Sequence, residues 1–481
     1  MSLPILVRDH GARGDGVTND TAAVQSALDA AAARGGGQVV FGDGVFRCGT
    51  LSVGARTHIE LRPGATLLGS AEIGDYVPME PGHNPDRQPF HLLVIRDADG
   101  VRIDGGGIID GSGPAFWEHA SHPLAWMRPK ARRPSPMVEC VRATGLSIES
   151  LTLRNSPGWT LHLHGCEGVR LRWVKIVNPL FGPNTDGIDI NGSSDVAISD
   201  CRIETGDDAI VLKTSPDAGE CRGIRIANCL IRSNCAGLKL GAVESFHAIR
   251  DVVMRDCVLR NTHRPVAIYS LEGGVFEDIR IQNISADTAC GIALTRPIHI
   301  ELRRRRPESA AGVIRNVTIE NFTAWTEGRV MVVAEEGMEI ESVRLRDLRL
   351  LYPTVDDPVL MPPEAGGGQY ANHNPGARRA RACVVAENVR GLEVTGLSVR
   401  WPEPGAEPGV MLDVPWVPPE KAVNGTHGIF GREAYHPAEP PPFHLLWGRG
   451  LTGGAFHCIG AEGFAGAPAA DLERSSIEVV G

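Results

Sequence analysis

A short phrase of alternating apolar and polar residues recurs along the middle of the chain. Each copy contains two short alternating segments joined by one small or polar residue, as in residues 196–203, where Asp200 is the joint. Successive side chains of a strand point to opposite faces, so each segment predicts a strand with one buried and one solvated face. Further copies occupy residues 146–153, 169–176, 224–231, 252–259, 279–286, 317–324, 343–350 and 392–399.

The spacing of the copies is close to constant. The joints Asp200, Asn228 and Asp256 are 28 residues apart, and Asn283 follows 27 residues later. Asp and Asn suit tight corners, because they tolerate the left-handed backbone region and bond nearby backbone groups. Helical repeats are excluded by the period of two, and the consensus of leucine-rich repeats is missing. The pattern therefore predicts an all-β solenoid, a parallel β-helix.

The ends of the chain depart from this pattern. Asp20 or Thr21 is placed to cap a helix over residues 21–34, which would cover the open end of the solenoid. Runs of Pro and Gly interrupt the later sequence and indicate a long loop insertion. We expect one domain over 1–481, with a cap (1–50), main coils (51–350), a Pro/Gly-rich insertion packed on the helix (351–450) and a C-terminal segment (451–481).

Composition narrows the functional classes. A net charge of −10 argues against a nucleic-acid partner, and the basic run of four arginines at 303–306 is expected to be a solvated loop. No stretch reaches 18 uninterrupted apolar residues, so no membrane span is expected. The start lacks a secretion signal, and 11 cysteines do not resemble a disulfide framework. We expect reduced thiols and a cytoplasmic location, although a trimmed secreted protein would have the same features.

Three acidic residues are the candidates for chemistry. Asp186 lies 21 residues before Asp207, about one coil, and Asp208 follows directly. Carboxylates stacked about 5 Å apart repel one another, which raises at least one pKa and keeps one proton available. One carboxyl group that protonates a leaving oxygen and another that activates water are what glycosidic cleavage needs.

Blander interpretations stay open at this point. The acidic turns could bind Ca²⁺ or simply be solvated, since Asp-Gly pairs are common in loops. Motifs of other nucleophile, metal and phosphate sites are missing. Cys201, Cys229 and Cys257 recur at one position of three copies and predict a packed corner ladder rather than a metal site.

The motifs together resemble the polygalacturonase-like glycoside hydrolases of family 28. The likeness begins at residues 7–21, includes Asn184-Thr185-Asp186 and Gly206-Asp207-Asp208, and extends to at least residue 350. It implies a right-handed parallel β-helix, hydrolysis with inversion and no metal or cofactor. By the same resemblance Asp207 is the general acid, and Asp186 and Asp208 hold and deprotonate the water.

Residues that would recognise a uronate depart from the family pattern. Ala236 stands in place of an expected histidine, and Ala267 and Tyr269 stand where Arg and Lys are expected. Alanine cannot pair with a carboxylate as a guanidinium does, and tyrosine is neutral at pH 7. Tyr269 is instead expected to stack under a sugar ring or to be a partly buried structural residue. Candidates for substrate binding are Asn184, Asp189, Lys213, Lys239, His263, Arg264 and Tyr269, and His299 and Glu301 are looser ones.

The preferred function is therefore an inverting, exo-acting hydrolase of a pectin-related or unusual oligosaccharide or polysaccharide. A β-helix lyase or epimerase is the first alternative, since those reactions abstract a proton next to a uronate carboxylate. A degenerate carbohydrate-binding protein is the second. The sugar, its linkage and the oligomeric state are not determined by the sequence.

Overall fold

The computed structural model describes residues 3–119, 126–288, 296–326, 328–352, 374, 376–377, 380–402, 443–459, 463–464 and 466–480. These residues form two compact units that divide between Ser233 and Asn234. Both units consist almost entirely of parallel strands stacked in register, which confirms the predicted all-β solenoid class.

Unit 1 contains three ladders of parallel strands, one on each side of its coils. Ladder 1 consists of Ile5–Leu6, Gly37–Phe41, Thr57–Leu61, Arg102–Asp104, Ser147–Glu149, Glu167–Arg172, Ser194–Ser199 and Cys221–Ala227. Ladder 2 consists of Asp15–Asn19, Gly44–Cys48, Ala65–Gly69, Ile108–Asp110, Thr152–Arg154, Lys175–Val177, Arg202–Thr205 and Leu230–Ser233. Ladder 3 consists of Leu51–Val53, Leu93–Arg96, Val138–Val141, Leu161–His164, Ile188–Asn191 and Ile210–Thr214. A short antiparallel pair, Trp117–Glu118 with Arg128–Pro129, and 3-10 turns at Val7–His10, Ile73–Asp75 and Gly113–Phe116 lie outside the ladders.

Corners between ladders 1 and 2 carry the predicted Asp and Asn residues. Asp200 and Asn228 have φ values of 57° and 55°, in the left-handed region. The Asn228 amide donates to the Asp200 carboxylate at 3.4 Å, which links one corner to the next. The next residues, Cys201 and Cys229, are both buried and stacked as predicted. Corner chemistry therefore explains the joints of the repeated phrase.

Ladder 3 separates an apolar from a polar face. Leu163, Ile190 and Leu212 are level with one another and fully buried in the interior of the coils. Their neighbours along each strand point outward, because side chains alternate between faces. On this outward face Glu139, His162 and Asp189 are level with one another. The outward face is therefore polar, although these three side chains are also fully buried.

The predicted N-terminal helix extends over Thr21–Ala33 and packs Val24, Ala27, Leu28 and Ala31 against the first coils. Asp20 precedes it but makes no side-chain cap. Its carboxylate accepts instead from the backbone N–H groups of Arg13 and Gly14, at 2.7 and 2.9 Å. Asp20 therefore braces the preceding turn, and the predicted cap is wrong. No helix in the described ranges is both long and apolar enough to cross a membrane.

Unit 2 contains two ladders. One consists of Ala236–Ser245, Arg264–Ser270, Ile298–Leu302, Val330–Ala334, Ala382–Glu387, His444–Arg449 and Ala470–Glu473. The other consists of Ile249–Arg260, Val275–Asp287, Val313–Trp325, Ile340–Leu351, Val389–Arg400, Thr452–Ile459 and Ser476–Val480. Its corner residues Asp256, Asn283, Asn321 and Asp347 also have φ values near 50° to 57°.

The boundaries of the predicted insertion need correction. Strands Ala382–Glu387, Val389–Arg400 and His444–Arg449 lie inside the range 351–450 and continue the coils. Their apolar alternation is short and flanked by Pro and Gly, which hid it. The remaining parts, 353–373 and 403–442, lie outside the described residues, and the single-domain expectation stays a prediction.

The basic run at 303–306 is not a fully solvated loop. Arg303 is completely buried, and its guanidinium donates to Glu301 at 3.0 Å. Arg305 and Arg306 both donate to the buried Glu272, at 3.3 and 3.4 Å. The run is therefore an internal ion-pair cluster of unit 2, and its pairing with acids agrees with the expected lack of a nucleic-acid patch.

We predict that the left-handed corners contribute measurably to stability. Asn228→Val should lower the free energy of unfolding by roughly 1–2 kcal/mol, because a side chain with a branched Cβ is strained at this φ. Asn228→Gly is the matched control and should change it far less, because glycine adopts this φ without steric cost. Urea denaturation followed by circular dichroism measures both. Equal losses in the two variants would contradict the assignment.

Candidate functional site

The backbone of ladder 3 brings the three predicted aspartates together. Ile188 pairs with Ile210, so two residues earlier Asp186 is level with Asp208. The backbone N–H of Gly187 donates to the carbonyl of Asp208 at 2.9 Å, which extends the pairing. The predicted alignment of Asp186 with Asp207 is therefore one residue out. Asp207 lies beside this pair, since its charge acts most strongly of all charges on Asp186.

Two close backbone approaches explain the glycines of the site motifs. A Cβ on Gly206 would lie 2.4 Å from the carbonyl oxygen of Gly182, and one on Gly187 would lie 2.4 Å from that of Ala209. The Thr185 hydroxyl accepts from the N–H of Gly206 at 3.0 Å and donates to the Gly182 carbonyl at 3.0 Å. The loop before Asp186 is thus fastened to the loop before Asp207.

Burial and like charge set the protonation of Asp186. Asp186 and Asp208 are 4% and 0% exposed, whereas Asp207 is half-buried. Burial raises the pKa of Asp186 well above its ordinary range, and the charges of Asp207, Asp189 and Asp208 raise it further. Lys213 acts in the opposite direction and does not outweigh them. Asp186 therefore holds a proton to a higher pH than an ordinary aspartate.

Lys213 and Asp189 form a buried ion pair beside the aspartates. The Lys213 ammonium lies 2.7 Å from a carboxylate oxygen of Asp189. It also lies 3.2 Å from the centroid of the Trp159 ring, a cation–π contact. Both predicted binding residues are thus placed at the site, with the indole of Trp159 forming part of its wall.

The outward face continues past Asp189 to an ion-pair cluster that sequence reasoning missed. His162 lies 2.8 Å from Glu139 through Nδ1, and Arg87 donates to the other Glu139 oxygen through Nε at 3.0 Å. Burial alone would raise the pKa of Glu139. The charges of His162, His91 and Arg87 and the bond from His162 outweigh it and hold that pKa well below its ordinary value.

The segment 79–89 supplies Arg87 and crosses the outward face of ladder 3. At the starts of the strands, Asp86 lies 3.4 Å from the Asn184 amide and accepts from the Ser135 hydroxyl at its carbonyl, at 2.6 Å. At the ends of the strands, Arg87 lies 3.9 Å from Asp217. The segment is therefore fastened at both edges of the face and in its middle.

The remaining predicted binding residues lie in unit 2. Lys239 is half-buried on Ala236–Ser245, level with Ala267 and His299. Arg264 is half-buried at the start of its strand and donates to the Tyr269 hydroxyl at 3.4 Å and to the Cys235 thiol at 2.9 Å. His263, the residue before it, is buried. Substrate binding by these residues stays a prediction.

The suggested sugar stacking of Tyr269 is not compatible with its surroundings. The side chain is 0% exposed and packs with Ala236, Ala267 and Leu271. Its hydroxyl lies 2.8 Å from Nδ1 of His299. No ring face is available to a sugar, so the structural role, with full rather than partial burial, is the correct alternative. Ala267 is equally buried.

Several residues of the site carried a signal that the repeat pattern obscured. Charged residues occupy the polar positions of segments that are otherwise apolar, as in residues 138–141 and 161–164. Such residues on consecutive coils predict a polar face, and Glu139 and His162 could have been found in this way. Asp86, Arg87 and Arg133 lie on irregular segments and carry no periodic signal.

We predict that the Asp186 carboxyl destabilises the folded protein at neutral pH. Its pKa is raised on folding, so the folded state retains a proton that the unfolded state releases once the pH exceeds the ordinary value. Each unit of this difference costs about 1.4 kcal/mol. Asp186→Asn should therefore raise the melting temperature at pH 7 and change it little near pH 4.

Thermal unfolding of both proteins at the two pH values measures this difference. Asp195→Asn, at an exposed corner of the same unit, is the matched control. A melting temperature at pH 7 that is unchanged by Asp186→Asn would show that the acidic cluster is not strained.

Comparison with known proteins supplies the family. The sequence profile of glycosyl hydrolases family 28 matches residues 80–358, more than half of the 481 residues. A second profile, rhamnogalacturonase A/epimerase, pectate lyase-like, matches residues 5–60.

Among curated relatives, a probable polygalacturonase of Vitis vinifera is 28% identical over 302 residues, which are 58% of this chain and 60% of that protein. The chain thus spans less than two thirds of that relative. An exopolygalacturonase of Zea mays is 24% identical over 357 residues, 71% of this chain and 82% of that protein.

Solved structures agree on the fold. The exopolygalacturonase of Thermotoga maritima has a TM-score of 0.65 at 22% identity, covering 83% of this chain and 92% of that one. The family 28 exopolygalacturonase of Yersinia enterocolitica has a TM-score of 0.61 at 16% identity, covering 85% and 79%. These likenesses confirm the right-handed parallel β-helix. With the acidic motifs inside the matched range, the chain belongs to glycosyl hydrolases family 28.

Proposed function

We propose that this protein hydrolyses glycosidic bonds of a pectin-related oligosaccharide, with inversion and from a chain end. The observation that carries the proposal is the cluster of Asp186, Asp207 and Asp208, in which burial and mutual repulsion retain a proton at a pH where ordinary aspartates are ionised. A carboxyl group that keeps its proton beside ionised carboxylates supplies both the acid and the base of glycoside hydrolysis.

The division of roles follows from accessibility. Asp207 is half-buried, whereas the other two are almost fully buried. Interacting carboxyl groups titrate as a set, so the proton held by the set is available at its most accessible member. Asp207 is therefore proposed to protonate the leaving oxygen. Asp186 and Asp208, level on adjacent coils, are proposed to hold and deprotonate the water.

Chain-end action is supported by the segment 79–89. Strands of a sheet are about 4.8 Å apart, so Glu139, two strands from Asp189, is roughly 10 Å away along the ladder. A sugar chain running along the ladder over the outward face would meet Arg87 and Asp86 there. Only a short stretch of sugar fits between this segment and the aspartates, which favours an exo mode. The names of the maize, Thermotoga and Yersinia relatives support the same mode.

The substrate class rests on the relatives, several of which are named polygalacturonases. The buried Ala267 and Tyr269 cannot hold a galacturonate carboxylate as Arg and Lys would. We therefore propose a pectin-related sugar whose recognition differs from that of galacturonate in the family pattern. A panel of pectic oligosaccharides, assayed for reducing ends, tests this class. Hydrolysis of none would contradict it.

We predict that Asp207→Asn lowers turnover of a natural oligosaccharide about 10²- to 10⁴-fold, the usual contribution of general acid catalysis. With a dinitrophenyl glycoside of the same sugar the loss should be far smaller, because this leaving group departs without a proton. Asp186→Asn and Asp208→Asn should lower turnover of both substrates. Steady-state kinetics with both substrates measures these losses.

Equal losses of Asp207→Asn on both substrates would remove it from the acid role. Turnover like that of the wild type in both Asp207→Asn and Asp186→Asn would end the hydrolase assignment. Sugar binding without any turnover would favour the degenerate binding protein. An unsaturated product that absorbs ultraviolet light would favour a lyase, an alternative that the match of residues 5–60 keeps in view.

We predict that Arg87→Ala shifts the products of a long substrate from single sugars towards longer fragments. The variant removes the side chain that ties the segment to Glu139 and Asp217, so longer chains can pass over the face. Arg142→Ala, which breaks an exposed pair with Asp97, is the control and should leave the products unchanged. Chromatography of early products from end-labelled substrate measures the shift. An unchanged product profile in a folded Arg87→Ala would exclude the segment as the barrier.

A further inference from the structure

Arg133 is a buried cation placed between two irregular segments of unit 1. Its side chain is 3% exposed. Through Nη1 it donates to the carbonyl oxygens of Pro157 at 3.0 Å and Pro183 at 2.9 Å. Through Nη2 it donates to the Asn184 side-chain oxygen at 2.9 Å. One planar guanidinium thus fastens the loop that leads into Asp186 to the neighbouring coil.

Asn184 itself is held from two sides. Its backbone has φ 51°, in the left-handed region that asparagine tolerates. Its side-chain oxygen accepts from Arg133, and its amide nitrogen lies 3.4 Å from Asp86. Asp86 also lies 3.5 Å from the Arg133 guanidinium. Asp86, Arg133 and Asn184 therefore form a closed triangle of contacts two residues before Asp186.

The same guanidinium faces the acidic cluster. Burial lowers the pKa of Arg133, and the negative charges of Asp86, Asp186 and Asp207 raise it in return. The other charged groups that act on Asp186 are Asp189, Asp208 and Lys213. Arg133 is thus a second buried cation near the aspartates, on the opposite side of the motif from Lys213 in sequence. An arginine stays charged in such a place because its ordinary pKa is above 12.

We propose that Arg133 is a positioning residue of the acidic cluster, which orients the Asn184 loop by its fork of hydrogen bonds and keeps the water-activating carboxylate ionised by its charge. The proposal rests on the proposed function for its catalytic meaning. Its structural content, the coupling of Arg133 to Asp186, holds for the protein whatever sugar it cleaves.

Charge and hydrogen-bond geometry can be separated by substitution. Arg133→Gln removes the cation, which raises the carboxyl pKa values, so both limbs of the pH profile of kcat/KM should move up, by about one pH unit. Arg133→Lys keeps the charge but cannot reach two carbonyls and Asn184 together, so it should keep the pH profile and lower kcat at least tenfold. Asn184→Gly keeps the left-handed φ and should lower kcat without moving the profile. The adjacent, exposed Arg132→Gln is the matched control.

A readout without any substrate separates failure of this proposal from failure of the proposed function. The rise in melting temperature caused by Asp186→Asn at pH 7 is measured in the wild type and in the Arg133→Gln background, as a double-mutant cycle. Loss of the cation should make that rise larger. Circular dichroism establishes that each variant is folded, and if Arg133→Gln does not fold, the same cycle is made with Arg133→Lys, where the rise should equal that of the wild type.

An Asp186→Asn effect that is the same with and without the positive charge would overturn the electrostatic role. An Arg133→Lys enzyme with the kcat of the wild type would overturn the positioning role. If every variant is inactive on all sugars while the thermal cycle shows coupling, the proposed function fails and the coupling of Arg133 to Asp186 stands.

Discussion

Burial of charge on the outward face of ladder 3 is the constraint on which the rest of this site depends. In-register stacking places residues one coil apart directly beside each other, and here it places Asp186 beside Asp208. Loops cover the face and exclude water from it. A carboxylate in that position must find cations or keep its proton. Each polar residue of the face is in one of these two states.

Two carboxyl groups on the same face show both outcomes. Glu139 is completely buried, yet the pKa of its carboxyl is lowered because Arg87, His91 and His162 surround it. Asp186 is buried to a similar degree, but its nearest charges are mostly other carboxylates, and its pKa is raised. The difference lies in the neighbours and not in the burial. A structural ion pair and a reactive acid therefore arise on one ladder from the same backbone geometry.

Much of the fold could be predicted because the β-helix is periodic. A period of about 27 residues and an Asp or Asn at each joint are enough to predict coils and corners, and Asp200 and Asn228 have the expected left-handed backbone. Asp207 and Asp208 could be found because their motif is local. The register was predicted one residue out, because a corner of variable length precedes each strand, and coil spacing alone cannot fix the pairing of Asp186 with Asp208.

The residues that could not be predicted share a physical property. Arg133 and Asp86 act on the site from segments with no repeat, and their partners are backbone carbonyls and one amide, which leave no trace in a hydrophobic pattern. Tyr269 was misjudged for the related reason that its level neighbours, rather than its own type, decide whether its ring is exposed.

Reaction and substrate are therefore encoded differently. The carboxylates belong to the periodic ladder, where stacking controls their pKa values. The contacts that orient them and limit the path of a sugar come from irregular loops. Such loops can change without disturbing the ladder, so a chain can keep the acid cluster of its family while replacing the groups that recognise the sugar.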